Sequence, residues 1–161
     1  MEFRSSFYTN SVTVEGFGDT DTYKVELYTV DRSENRSQPQ IVEVVPLTPP
    51  ILSCYESLSM VSDFGGMTFE MDNKFKSDLA IYVCTPDELG DMVLAETFYS
   101  AREEIVYSVR GYDAVPRRFG IFLQDKYGNE TDTLFTELTP IYERDWIRRS
   151  SGKCICRTIP A

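Results

Sequence analysis

One motif written twice constrains this chain more than any other feature. DRSENRS at residues 31–37 and DKYGNET at residues 125–131 share the pattern D-x-x-x-N-x-[ST], 94 residues apart. The two copies sit inside a longer internal repeat. VEGF at 14–17 matches VRGY at 109–112, and VELYTVD at 25–31 aligns with FGIFLQD at 119–125. PLTP at 46–49 parallels ELTP at 137–140, and SSFYTN at 5–10 resembles ETFYSA at 96–101. Offsets of 91 to 95 residues suit one β-sandwich unit of about 100 residues repeated in tandem.

The periodicity agrees with that size. Ser11–Glu15, Tyr23–Thr29, Ile41–Val45, Met67–Met71, Leu79–Cys84, Met92–Tyr99, Ile105–Val109 and Phe119–Leu123 alternate or run apolar between Gly, Asp, Asn or Pro. β-branched and aromatic residues dominate these runs, which is the pattern of short strands. The one helical candidate is a capped single turn over Thr85–Gly90. The predicted class is all-β, an immunoglobulin-like sandwich. Residues 47–142 have room for seven strands and form the expected complete unit. Residues 1–46 match only the last four strands of such a unit. This predicts an incomplete unit with an apolar face and open edges, expected to be poorly ordered, packed on the second unit, or completed by a partner or a second copy. Residues 143–161 change character: 5 of the 16 basic residues fall there against 2 of the 26 acidic ones, so a basic, poorly ordered tail is expected.

Composition narrows the chemistry. With 42% apolar and 13% aromatic residues the chain can bury a core. A net charge of −10 argues against nucleic acid and against an anionic membrane surface. Histidine is absent, which removes Ser-His-Asp and Cys-His catalysis and the usual zinc sites. No enzyme, metal or cofactor is expected. Cys54 and Cys84 lie in apolar strand-like runs and read as buried free thiols, while Cys154 and Cys156 form an isolated C-x-C. The opening MEFRSSFYTN has no apolar signal segment, and no run of 18 apolar residues suggests a membrane span.

Three readings compete for the doubled motif. As a calcium loop it would need oxygen ligands at alternate positions, where Lys126 and Tyr127 stand instead. Asn35 and Asn129 formally satisfy the N-x-[ST] acceptor pattern. As a turn, every residue has a use: Asp31 and Asp125 cap backbone N–H groups, and Gly128 with Asn129 supplies left-handed positions. In the first copy Glu34 replaces the glycine, so Asn35 is expected to carry the positive φ. Turn structure is the favoured reading for Asp31, Asn35, Asp125, Gly128 and Asn129. The carboxylate pairs Asp87-Glu88 and Glu103-Glu104 are sequence neighbours, which on a strand point to opposite faces and cannot share a substrate proton.

Tyr23-x-Val25-x-Leu27-x-Thr29-x-Asp31 followed by Asn35 and Ser37 resembles the last two strands of a fibronectin type III-like module. Phe119-x-Ile121-x-Leu123-x-Asp125-x-x-Gly128-Asn129-x-Thr131 repeats it. Arg117 stands in the second copy where Tyr23 stands in the first, which leaves open how that corner is bonded. More narrowly, VDRSENRSQP, PLTPP, RGYD, RRFGIFLQDKYGNETDTL and LTPIYE resemble a family of surface lipoproteins of glycan-utilising gut bacteria. Those proteins carry tandem fibronectin-like domains, usually followed by a discoidin-like domain, and accompany starch-utilisation-type transport systems. The resemblance covers about residues 1–142. It implies a middle fragment of a non-catalytic spacer or glycan-capture module at the outer-membrane surface or in the periplasm. Its partners would be a polysaccharide or an outer-membrane transport protein. Phe75 and Tyr127, in two loops expected at one end of the sandwich, are the candidate sugar-stacking side chains.

Overall fold

The computed structural model describes residues 2, 4, 5 and 11–142. The basic segment 143–161, with Cys154 and Cys156, lies outside the described residues.

Two strands lie in the N-terminal part, β1 (Tyr23–Leu27) and β2 (Gln40–Val44), paired antiparallel with Val25 opposite Val42. Ser11–Glu15, expected as a strand, joins no ladder. Among the described residues, 11–46 therefore hold two strands rather than four.

Helix α1 (Pro50–Ser57) follows. It was unexpected, because Cys54 and its apolar neighbours read as a strand. Pro50 starts it without cost, since the first turn has no use for its missing N–H. Ile51 and Cys54, one turn apart, are buried against the sandwich. Ser57 ends the helix by turning its hydroxyl to the Cys54 carbonyl at 2.9 Å while accepting the Asp72 amide at 2.9 Å.

Seven further strands build a sandwich. β3 (Ser59–Asp63), β4 (Gly66–Asp72) and β7 (Glu104–Arg110) form a sheet in the order β3-β4-β7. β5 (Leu79–Pro86), β6 (Met92–Ser100), β8 (Arg117–Asp125) and β9 (Leu134–Leu138) form the other, in the order β6-β5-β8-β9. All pairings between these strands are antiparallel. The period of two decides what is inside. Leu79, Ile81 and Val83 of β5 and Phe119, Ile121 and Leu123 of β8 meet Met67, Phe69, Met71, Ile105 and Val109 of the facing sheet. Phe69, fully buried, has the Phe98 and Tyr107 rings 5.5 and 5.9 Å away. The fold is an all-β sandwich.

One flank of the sandwich is stitched where the chain leaves β9: the Ile141 amide donates to the Asp63 carbonyl at 2.9 Å, and Gly65 donates to Ile141 at 3.1 Å. Gly66 permits the β4–β7 approach, because a Cβ there would lie 1.8 Å from the Val109 carbonyl oxygen. The expected helical turn over Thr85–Gly90 is instead the end of β5 and a hairpin loop, since the Asp87 carboxylate takes up the amides of Leu89 and Asp91. The corner left open by Arg117 is filled by stacking. Its guanidinium lies 5.0 Å from the centre of the Tyr112 ring and donates to the Pro86 carbonyl at 3.4 Å. In the first repeat, Tyr23 lies 4.7 Å from Phe17 at the equivalent places and donates its hydroxyl to Asp19 at 2.9 Å.

Candidate functional site

The β8–β9 connection opens with a three-residue hairpin loop between Asp125 and Asn129. The loop's ends pair through the Asp125 amide and the Asn129 carbonyl at 3.0 Å, and Gly128 N–H closes a turn onto the Asp125 carbonyl at 3.1 Å. Gly128, with φ 86°, is the left-handed residue that closes the loop. The Asp125 carboxylate holds it from inside. Oδ1 accepts the amides of Tyr127 at 2.8 Å and Asn129 at 2.9 Å, while Oδ2 accepts Asn129 Nδ2 at 2.8 Å. Thr131 continues the clasp, its amide donating to the Leu123 carbonyl and its Oγ1 accepting the Leu123 amide, both at 3.0 Å.

The first copy repeats this bond for bond. Asp31 accepts Ser33 N at 2.8 Å, Asn35 N at 2.9 Å and Asn35 Nδ2 at 2.8 Å, and these bonds, that from the Asn35 side chain foremost, hold its carboxyl below the usual range. The positive φ falls on Glu34 (66°), not on Asn35, and in the second loop on Gly128 but not on Asn129. Sequence reasoning assigned it to the wrong residue, because both asparagines are occupied in bonding the aspartate. The same frame recurs at Asp87–Asp91, with φ 90° at Gly90, and in modified form at Asn73–Ser77, with φ 52° at Lys76. Asn73 is fully buried; its Nδ2 donates to the Ser77 carbonyl at 2.9 Å and its Oδ1 accepts the Ser77 amide at 3.0 Å.

The β4–β5 and β8–β9 loops lie at the same end of the sandwich, beside α1, and the two side chains singled out there have different surroundings. Phe75 is 64% exposed. The Tyr127 ring lies over Gly16, its hydroxyl donates to the Glu15 carboxylate, and Lys126 Nζ sits 4.9 Å from its centre. The hydrogen bond to Tyr127 is the main cause raising the Lys126 pKa.

A second feature was missed in the sequence. On the outer face of the four-stranded sheet, Tyr99 of β6, Tyr82 of β5 and Phe122 of β8 all occupy outward positions. Tyr82 and Phe122 stack with centres 4.7 Å apart and planes 12° from parallel, and the Tyr82 hydroxyl donates to Gln124 at 3.0 Å. Beside them runs an open groove of about 480 Å³, bordered by Tyr99, Tyr82, Ser100, Gln124, Asp78 and Lys126. Tyr99 is 74% exposed. The signal was present: in LAIYVC, ETFYS and FGIFLQD an aromatic stands in the outward phase of three strands that are otherwise apolar inward.

The carboxylate pairs are dispersed. Asp87 holds its own loop, and Glu103 pairs with Lys76 at 3.3 Å. Among the described residues, no three His, Cys, Asp or Glu side chains gather as a metal would require, and no helix is long and apolar enough to cross a membrane.

Residues 47–148 match the family model described as Domain of unknown function (DUF5126), and residues 1–46 match Domain of unknown function (DUF4959). A comparison with curated proteins found no match. Among solved structures, "SusE-like protein BT2857" is similar at 28% identity and a TM-score of 0.52, over 58% of this chain and 32% of that one. The chain thus spans about a third of that protein's length.

Proposed function

The chain belongs to the family described as Domain of unknown function (DUF5126), and from that premise we propose that it is a non-catalytic, fibronectin type III-like accessory module of a surface glycan-uptake lipoprotein. Residues 1–46 serve as a spacer and residues 47–142 contact polysaccharide at the outer-membrane surface. The SusE-like neighbour and the motif resemblance over residues 1–142 support the system to which it belongs. The observation that carries the reading is Tyr99, three-quarters exposed at the rim of an open groove. A flat ring offers a stacking face to the C–H groups of a pyranose, while Ser100, Asp78 and Lys126 border the same groove with hydrogen-bonding groups. Phe75, exposed at the loop end, is a secondary contact.

Affinity electrophoresis of the purified chain through gels containing plant and microbial polysaccharides tests this. At least one polysaccharide should retard the protein, and Tyr99→Ala should weaken that retardation at least ten-fold, about 1.4 kcal/mol, while leaving the far-ultraviolet spectrum unchanged. Equal retardation of both proteins, or none of the wild type, would sink the glycan reading.

A second reading is favoured by β6. Its nine residues form an edge of the sheet, with the backbone groups of one side unpaired in the β-ladders and only Glu96 charged. Such an edge suits strand addition by an outer-membrane transport protein. Co-purification of a transporter with the chain, lost when Leu94 is replaced by Pro, would support docking over capture.

A further inference from the structure

The β8–β9 loop does more than reverse the chain. We infer that it is an interaction surface whose partner is the preceding unit, so that residues 15–18 and 127–129 lock the two units into one rigid body. Four contacts converge there. The Tyr127 hydroxyl donates to Glu15, and the Tyr127 ring covers Gly16, where an added Cβ would sit 3.3 Å from the ring carbon Cδ1. Asn129 Nδ2 donates to the Gly16 carbonyl at 3.3 Å. Gly18 abuts the Asn129 side chain so closely that a Cβ there would lie 2.7 Å from Oδ1.

The internal repeat separates what the turn needs from what the contact needs. Gly16 and its counterpart Gly111 have φ of 99° and 100°, so the glycine at this place serves the backbone in both copies. Gly18 is different. Its φ is not in the left-handed region, and its counterpart 95 residues on is Asp113. A side chain is therefore tolerated at that place in the repeat, and its absence at Gly18 matches the approach of Asn129. The loops differ in the complementary way: Tyr127 stands where the first copy has Ser33. The added ring and the missing side chain face each other.

The receiving surface is also stiff. Asn129 cannot swing away from an intruding methyl without giving up its bond to Asp125 at 2.8 Å, and Tyr127 is held through its own amide on the same carboxylate. The loop motif thus places a rigid socket at the end of the second unit. This inference does not depend on the glycan reading, since a rigid pair could serve capture or docking alike.

Residual dipolar couplings of the full chain test it. In the wild type, amides of β1–β2 and of β3–β9 should fit a single alignment tensor, and relaxation should give both groups one correlation time. Gly18→Ala and Tyr127→Ala should each split the data into two tensors, with the amide spectrum and melting of the sandwich retained. Ser33→Ala, at the equivalent place in the first loop, should leave one tensor. Two tensors in the wild type, or one tensor in both joint variants, would overturn the inference. Should Gly18→Ala unfold the N-terminal hairpin, Tyr127→Phe provides a milder probe. It keeps the ring over Gly16 but loses the bond to Glu15, and the expected result is a measurable rise in disorder of the β1–β2 couplings relative to the sandwich. No change with Tyr127→Phe alongside an unfolded Gly18→Ala hairpin would count against the joint.

Discussion

Replacing Asp125 by Ala asks how much of the second unit's stability rests on one carboxylate. In the folded protein that group accepts three hydrogen bonds between 2.8 and 2.9 Å, two from backbone amides and one from Asn129 Nδ2. An intramolecular hydrogen bond contributes about 0.5–1.5 kcal/mol net, and more when one partner is charged. The loop lies at the surface, so water can reach some of the freed donors, and the low end applies to the Tyr127 amide. The part-buried Asn129 amide and side chain recover less. The expected total is about 2 kcal/mol, with alanine leaving the donors unsatisfied rather than replacing them. For a unit of this size that corresponds to a fall in melting temperature of about 8–12 °C. Equilibrium urea unfolding is the assay: the midpoint should drop with the slope unchanged, the sign of a pure stability loss. Asp125→Asn should cost roughly half as much, because one oxygen remains to accept the two amides. Asp31→Ala, which removes the same bonds from the first loop, should leave the sandwich transition in place. A loss below about 0.5 kcal/mol for Asp125→Ala, within the ordinary spread of surface substitutions, would refute the reasoning. So would an equal shift of the sandwich transition in Asp31→Ala.

Gly66→Ala should leave little folded protein, because its Cβ would meet the Val109 carbonyl at 1.8 Å and neither strand can move without breaking the β4–β7 ladder; soluble yield and amide dispersion read this out. Burial, with Asp72 nearby adding to it, pushes the Cys54 thiol up to about 11 from 9.0, so in a variant with Cys84, Cys154 and Cys156 replaced by Ser, Cys54 should react with a disulfide reagent at pH 8 at least ~10-fold more slowly than an ordinary thiol. Unfolding in urea should remove that protection. Asp31, whose carboxyl is lowered by the Asn35 side chain and the loop amides, gains its stabilisation above the unfolded value near pH 4. That gain is lost as the pH falls through the lowered folded value, so its carboxyl resonance should titrate below an ordinary aspartate, and Asn35→Ala should raise the midpoint.

What was legible in the sequence is what local patterning alone decides. Leu79, Ile81 and Val83 alternate cleanly and had to lie on one face of a strand, and the same holds for Phe119, Ile121 and Leu123. What was not legible depended on contacts made at a distance. PILSCYES becomes a helix because Ile51 and Cys54 reach the sandwich interior and Ser57 finds Asp72, fifteen residues away. DELG looked like a helix start because an aspartate before a short apolar stretch caps helices and hairpin loops by the same bonds. Here the antiparallel partner β6, returning immediately, decided between them. Glu34 takes the left-handed backbone against the preference of its side chain, since Asn35 is already committed to Asp31. For the site, Tyr127 was visible as an exposed aromatic, but its partner was not, because the significance of Gly18 appears only when Asn129 is set against it.

Four loops share one frame, and comparing them shows where such a module is free to vary. In each, the first residue's side chain holds the amide of the fifth, and the fourth takes positive φ: Glu34, Lys76, Gly90 and Gly128. The third position is under no such demand, because its side chain takes no part in the frame. It holds Ser33, Phe75, Leu89 and Tyr127, and the last three are large and substantially exposed. A tip whose side chain does not affect the turn can be changed without unfolding it, so it is where contacts outside the unit can be gained at little cost to stability. Tyr127 has used that freedom to grip the preceding unit. Phe75, at the same end of the sandwich, and Leu89, at the other, present the same opportunity to whatever the surface of this module meets.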